Sequence, residues 1–301
     1  MSSPEYFAFL AIGVALVISG LIFNGFIVIV MITQWIKCRR LASSEQLLLS
    51  LGLSNLWVTI ALHGFCFTNL SNDSDKTGQT WFSFFTFTVI FRYWLTALLC
   101  FFYCIKIVNS THTFFLWCKL KISWLIPRLL VGSIVISLLV FIVTLSFMYI
   151  PSSSANATTM IEAKSQSHIS SNSFLKLFFA VGSGCPFLLV LLCSILVVAS
   201  LCRHVCQMTS KESNFKSFQT KAHIQAARTV LSLLLLFLSF FVAEVLYMSV
   251  EMRHDKQLFL WAVMDVYSPA QAAILVLNNP KLKQALAVMV QRTVLICQEK
   301  R

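Results

Sequence analysis

Three charged side chains, Arg92, Glu244 and Asp265, fall inside long apolar runs of this 301-residue chain. A charge in hydrocarbon is costly, so each marks a polar contact, a ligand or a switch. Arg92 precedes Lys106 by 14 residues and Asp265 precedes Asn279 by 14. At helical rise both stand about 21 Å from the same polar boundary. Asn55 lies about 10 residues, or about 15 Å, into its own run, within reach of an arginine side chain. The expectation is an intramembrane polar core of Asn24, Asn55, Arg92 and Asp265. Arg92 is expected to pair with Asp265 or Glu244, because arginine stays charged and can fork across two helices. The alternative is that Arg92 faces a water-filled cavity with no fixed partner.

Other chemistry is thinner. Hydrolysis needs a nucleophile and a base at matched depth, and the sequence offers only Ser183 between two glycines. Cys202, His204 and Cys206 alternate in a way that suits no usual zinc spacing. No enzyme activity, metal or cofactor is expected. A binding face is easier to draw. Phe85, Val89 and Arg92 share one helical face at i, i+4 and i+7, and Phe240 and Glu244 share another. Such a group suits a bulky apolar or amphipathic molecule, and Glu244 adds a preference for cations.

The elements that must carry these residues are membrane helices. Hydrophobic residues make up 58% of the chain, charged residues 11%, and mean hydropathy is +0.81. Too little charge remains to wet the surface of a soluble domain. The apolar residues form runs near 7–34, 45–67, 82–106, 124–150, 174–202, 227–252 and 258–279. Each is long enough to cross about 30 Å of hydrocarbon, and none alternates as a barrel strand would. The first run has no basic start or cleavage signature and reads as a span, not a signal peptide. Short connections make neighbouring spans antiparallel. The expected fold is all-α: one seven-helix bundle over residues 1–301. The tail 280–301, LKQALAVMVQRTVLI within it, is expected to form a short amphipathic helix after Pro280.

Charge sets the orientation. Seventeen of the 23 lysines and arginines fall in one set of connections and the tail; five fall in the opposite set, and Arg92 is inside a run. The positive-inside rule then puts the N-terminus outside and the C-terminus in the cytoplasm. The net charge of +12 is read as a topology signal with attraction to anionic membrane lipids, not as nucleic-acid binding.

Glycan acceptors sort by side. Asn69, Asn72 and Asn156 begin Asn-X-Ser/Thr patterns in outward loops, with Asn156 in the longest. Asn109 also begins such a pattern, but at an inner helix end where no glycan is added. Loop 151–173 has no cysteine, so no disulfide ties it to the third helix. Cys38 and Cys297 lie at inner ends, where palmitoylation could reach them.

Several segments together resemble the type 2 bitter taste receptors, over almost the whole chain. They are Asn24-Gly25-Phe26-Ile27-Val28 with Trp35-Ile36-Lys37 and Arg40-Leu41-Ala42-Ser43-Ser44; Trp94-Leu95, Phe102-Tyr103, Lys106-Ile107 and Asn109; Pro186-Phe187 with Ser200-Leu201-Cys202-Arg203-His204; Thr220-Lys221-Ala222-His223; and Asn279-Pro280-Lys281-Leu282-Lys283. There are departures. The family's helix-two arginine is Asn55 here, its helix-three Trp and Asn positions are Phe85 and Val89, and its helix-seven His-Ser pair is Gln271-Ala272. These are the marks of a divergent member far from the mammalian ones. Arg92 is expected to take the place in space of the arginine absent at Asn55.

The resemblance implies a G protein-coupled receptor of the plasma membrane. It would bind bitter-type small molecules in the outer half of the bundle. It extends the binding wall to Phe179, Gly182, Trp261 and Met264. It also implies an inner cleft for a heterotrimeric G protein of the gustducin or inhibitory type. Tyr103, Lys106, Asn109, His112, Arg203, His204 and His223 would face that cleft. A vomeronasal type 1-like pheromone receptor is the nearest alternative and fits Asn279-Pro280-Lys281-Leu282-Lys283 less well. A small transporter would show paired halves with broken helices.

Overall fold

The computed structural model describes residues 3–70, 75–108, 113–149, 182–200, 202–203, 217–249 and 254–299. Among these residues regular structure is helical throughout, with no strand. The helices are α1 (Ser3–Cys38), α2 (Ser43–Leu70), α3 (Asp75–Ile107) and α4 (Thr113–Tyr149). Then follow α5 (Gly182–Ser200), α6 (Ser217–Ser249), α7 (His254–Asn278) and α8 (Pro280–Glu299). The first seven are long and apolar enough to span a membrane. A helix is suited to that solvent because its backbone hydrogen bonds close within the segment.

Most helices outrun the hydrophobic segments that announce them. α4 begins at Thr113 and not near 124, and α6 at Ser217 and not near 227. Hydropathy marks only the part that meets hydrocarbon, whereas the backbone ladder continues through lysines and polar residues at the ends. α2 runs to Leu70 and so takes in Asn69, which the sequence reading places in a loop. The seven spans leave broad apolar flanks exposed, among them Ile29, Leu120, Leu139, Ile142, Leu192 and Leu235. Lipid can cover such surfaces; water would not.

α3 is the axis of the bundle. It packs against α2, α4 and α6, while α1 packs against α2 and α7, and α6 against α7. Leu95, Ala97, Leu99 and Cys100 on successive faces of α3 are all fully buried, as expected of a helix enclosed on every side. Small residues set three of the close approaches, as is common between membrane helices. A Cβ added at Gly64 of α2 would come within 2.5 Å of the Trp81 ring of α3. One added at Gly52 would meet Val28 Cγ2 of α1 at 3.1 Å. Gly20 of α1 similarly faces Ser268 and Pro269 of α7.

The end of the bundle that carries most lysines is tied together by Glu45. Its Oε1 accepts hydrogen bonds from Lys281 Nζ (2.5 Å) and Gln34 Nε2 (2.9 Å), and its Oε2 from the Ala42 amide (2.9 Å). One carboxylate thus joins α1, the start of α2 and α8. Asn279 ends α7 and caps α8, its Oδ1 accepting from the amides of Lys281 and Leu282 at 3.0 and 3.3 Å. Pro280 then occupies the first helical position, where no amide proton is needed. The expected turn at Pro280 and the helix after it are both present. Leu282 of α8 is fully buried against the bundle and Val288 and Val290 are exposed.

Candidate functional site

Arg92 is fully buried at the centre of α3. Its guanidinium carbon lies 4.2 Å from the ring centre of Phe240 on α6 and 4.2 Å from that of Tyr267 on α7. The two rings meet edge to face, with centroids 5.0 Å apart. The expected pairing of Arg92 with Asp265 or Glu244 is overturned: among the described residues no carboxylate oxygen approaches the guanidinium within 4.0 Å. Helix geometry gives the reason. Asp265 and Tyr267 are two residues apart and point about 200° apart around α7. A guanidinium stacked on Tyr267 therefore cannot reach Asp265. Two aromatic faces take the cation in place of an acid, an arrangement worth about 2 kcal/mol or more when desolvated. Nε and Nη2 of Arg92 are left without a hydrogen-bond partner.

Glu244 is held elsewhere. The Tyr93 hydroxyl donates to its Oε2 at 2.6 Å, while Oε1 is buried and unsatisfied. Tyr93 is fully buried and stacks near Phe237, at 4.5 Å between centroids, and Phe240, at 5.8 Å. Phe187 of α5 continues the aromatic wall to Phe237 and Phe241. Phe85, Val89 and Met264 are buried, and Trp261 is half-buried beside Tyr247. A Cβ on Gly182 would touch Ile90 Cδ1 of α3 at 3.2 Å, which puts the start of α5 directly against α3. The structure thus gathers Phe240, Glu244 and Arg92 around α3. Phe179 lies outside the described residues.

Asn24 and Asn55 belong to a second polar cluster across α1, α2, α3 and α7. Asn55 Nδ2 donates to Asn24 Oδ1 and to Gln271 Oε1, each at 2.9 Å. Asn24 Nδ2 donates to Ser268 Oγ at 3.1 Å and to the Gly20 carbonyl at 2.9 Å. Gln271 Nε2 donates to Thr96 Oγ1 at 3.0 Å and to the Tyr267 hydroxyl at 3.1 Å. Arg92 is hydrogen-bonded to this cluster through its backbone carbonyl, which accepts from Thr96 Oγ1 at 2.9 Å, and its guanidinium touches it only at the Tyr267 ring. The expectation that the Arg92 side chain fills the space of an arginine missing at Asn55 is therefore corrected. That space is closed by Gln271. Two positions where the chain leaves the family pattern are bonded to each other. Asp265 stands apart from the cluster, with Oδ2 3.9 Å from His63 Nε2 of α2.

Spacing held a signal for the members that sequence reasoning missed. Asn55, Thr59 and His63 recur every four residues, as do Arg92 and Thr96, and Tyr267 and Gln271. Polar residues at that interval in an apolar run form one stripe. Which stripe meets which could not be read from one chain.

At the lysine-rich end, Tyr103 is half-buried and Lys106 is exposed with its ammonium 4.5 Å from the Phe102 ring centre. Arg203 is exposed just beyond α5, and His223 lies on the backbone of α6. Asn109, His112 and His204, like Asn72 and Asn156, lie outside the described residues.

Comparison with known proteins agrees with this architecture. Residues 1–294 match the family model described as "Taste receptor protein (TAS2R)". "Taste receptor type 2 member 40" of Gallus gallus is 30% identical over 285 residues, covering 89% of each chain. "Taste receptor type 2 member 4" of Pongo pygmaeus is 28% identical over 294 residues, covering 92% of this chain and 95% of the relative. The Homo sapiens protein of the same designation is 28% identical over 291 residues, with the same coverage. Taste receptors are membrane receptors for small molecules and not enzymes. With its seven apolar helices and a match over nearly its full length, this chain belongs to the taste receptor type 2 family, the bitter taste branch of the multi-pass G protein-coupled receptors of the plasma membrane.

Proposed function

We propose that this receptor binds a bulky apolar or amphipathic agonist between α3, α5, α6 and α7, in the half of the bundle away from the lysine-rich end. One observation carries the reading. Arg92 Nε and Nη2, beside the rings of Phe240 and Tyr267, and Glu244 Oε1, beside Tyr93, are buried and unsatisfied. Each such atom costs about 1–3 kcal/mol until a partner meets it. An agonist with a polar group on an apolar body supplies those partners, and the arrangement of helices that receives it best gains population. Phe85, Val89, Phe179, Gly182, Trp261 and Met264 complete the wall of that site in this proposal.

The lysine-rich end is the cytoplasmic one on this reading, with the N-terminus outside. Tyr103, Lys106, Asn109, His112, Arg203, His204 and His223 then face a heterotrimeric G protein of the gustducin or inhibitory type. Asn156 carries the N-glycan, ahead of Asn69 and Asn72. Cells expressing the full chain with a promiscuous G protein α subunit test the proposal. Calcium release to members of a bitter-compound panel, lost in Arg92→Ala at matched surface expression, is the expected result. Silence to the whole panel from a surface-expressed receptor would defeat it.

A further inference from the structure

His63 of α2 and Asp265 of α7 face one another. His63 Nδ1 lies 2.8 Å from the Thr59 carbonyl oxygen. A carbonyl only accepts, so Nδ1 carries a proton, and the Nε2 lone pair is open to a donor whenever the ring is the neutral tautomer. Asp265 Oδ2 stands 3.9 Å from Nε2, too far for a direct hydrogen bond in any protonation state. Among the described residues Asp265 makes no other polar contact. The two side chains are 43% and 15% exposed.

The pair bridges α2 and α7, both of which pack against α1. His63 is 11 residues, about three turns, beyond Gly52, whose open face packs on Asn24, Ile27 and Val28 of α1. Towards the lysine-rich end α1, α2 and α7 are joined by the Asn24, Asn55 and Ser268 hydrogen bonds and by Gly20 against Pro269. Thr59 Oγ1 donates to the Asn55 carbonyl at 3.0 Å and the Thr59 carbonyl meets His63, so His63 stands about two turns above that cluster on α2.

We infer that the His63–Asp265 pair where α2 and α7 meet is a cation subsite: a primary or secondary ammonium donates one N–H to Asp265 Oδ2 and another to His63 Nε2. Charge and donor count both fit. A metal ion is less well served, because among the described residues no third histidine, cysteine or carboxylate joins the pair. Glu244 does not offer the same anchor, being 1% exposed with Oε2 already taken by Tyr93. The subsite extends the receptor reading above and depends on it only for the step from binding to signalling.

Thermal unfolding of the purified full-length receptor in lipid nanodiscs tests binding apart from signalling. The probes are phenethylamine, its uncharged N-acetyl form and its quaternary trimethylammonium analogue. Phenethylamine is expected to raise the wild-type Tm in a dose-dependent way, and the N-acetyl form is not. The apparent affinity for phenethylamine should fall at least about tenfold in Asp265→Asn, because one partner of a charge-assisted contact is lost. The trimethylammonium analogue, charged but without N–H donors, should bind more weakly than phenethylamine. If Asp265→Asn does not unfold cooperatively, His63→Phe is read instead, with the same loss expected. No Tm rise in wild type, an unchanged affinity in the variant, or equal strength of the two cations would overturn the subsite. Binding in nanodiscs with no calcium response in cells to any agonist would overturn the receptor reading and leave the subsite standing.

Discussion

The Tyr93 hydroxyl and the Glu244 carboxylate, 2.6 Å apart, join the central helix to α6 in the interior of the bundle. The bond is short, as expected when a hydroxyl meets a carboxylate, and it holds Glu244 where the aromatic wall can shield it. Tyr93→Phe removes the donor and keeps the ring. The receptor should lose about 1–3 kcal/mol of stability, read as a lower thermal midpoint in nanodiscs. Glu244→Gln keeps an acceptor for Tyr93 and should cost less. Its effect on signalling should fall on cationic agonists more than on neutral ones, as a cation preference at Glu244 requires.

Arg92 is stacked on aromatic rings and not paired with an acid, and a double-mutant cycle separates the two arrangements. Arg92→Ala and Asp265→Ala should be additive in unfolding free energy to within about 0.5 kcal/mol. Arg92→Ala and Phe240→Ala should instead couple by about 1 kcal/mol or more. Strong coupling in the first cycle would mean that the guanidinium does reach Asp265.

Asn55 and Gln271 depend on each other. Asn55→Ala strips two hydrogen bonds and leaves Asn24 Oδ1 and Gln271 Oε1 bare, at a cost of about 1–2 kcal/mol in a membrane interior. Asn55→Arg alone places an unpaired charge against Gln271 and should reduce surface expression well below that of Asn55→Ala. Flow cytometry on an epitope-tagged receptor orders the three forms.

Glu45 gathers three hydrogen bonds and Lys281 supplies one of them. Lys281→Ala should speed amide hydrogen exchange across α8 and leave α1 unchanged. Glu45→Ala should speed exchange at the start of α2 as well, because the Ala42 amide then loses its acceptor. Equal exchange patterns in the two variants would show that the carboxylate is not the common anchor.

Glycosylation reports the orientation directly. Asn156→Gln should abolish the mobility shift that glycosidase treatment produces in the receptor from mammalian cells. Asn109→Gln should leave that shift intact. A glycan at Asn109 would reverse the proposed topology.

Seven membrane helices were legible in the chain because hydrophobic length is a one-dimensional property. A run of about 20 apolar residues meets the thickness of hydrocarbon whatever its neighbours are. The amphipathic helix after Pro280 was legible for a similar reason, since proline and the Asn279 cap act within a few residues. The true helix ends were not, because Lys119 and Lys121 interrupt the apolar residues from Phe114 to Trp124, and Ser217 to Ala227 stays helical with a largely polar sequence.

The polar interior divides the same way. Sequence singled out Asn24, Asn55, Arg92, Glu244 and Asp265, because polar groups are conspicuous against hydrocarbon. Depth along a helix also follows from counting residues, and it correctly allowed Arg92 to meet α7. Rotation about each helix axis, and the neighbour it faces, emerge only when the bundle is packed. That packing gave Arg92 two aromatic rings, Glu244 a tyrosine, Asn55 a glutamine and Asp265 a histidine. Composition and spacing determined that this chain is a membrane bundle with a polar interior. Only tertiary structure decided the partners, because a hydrogen bond or a ring contact is chosen by direction as well as by depth.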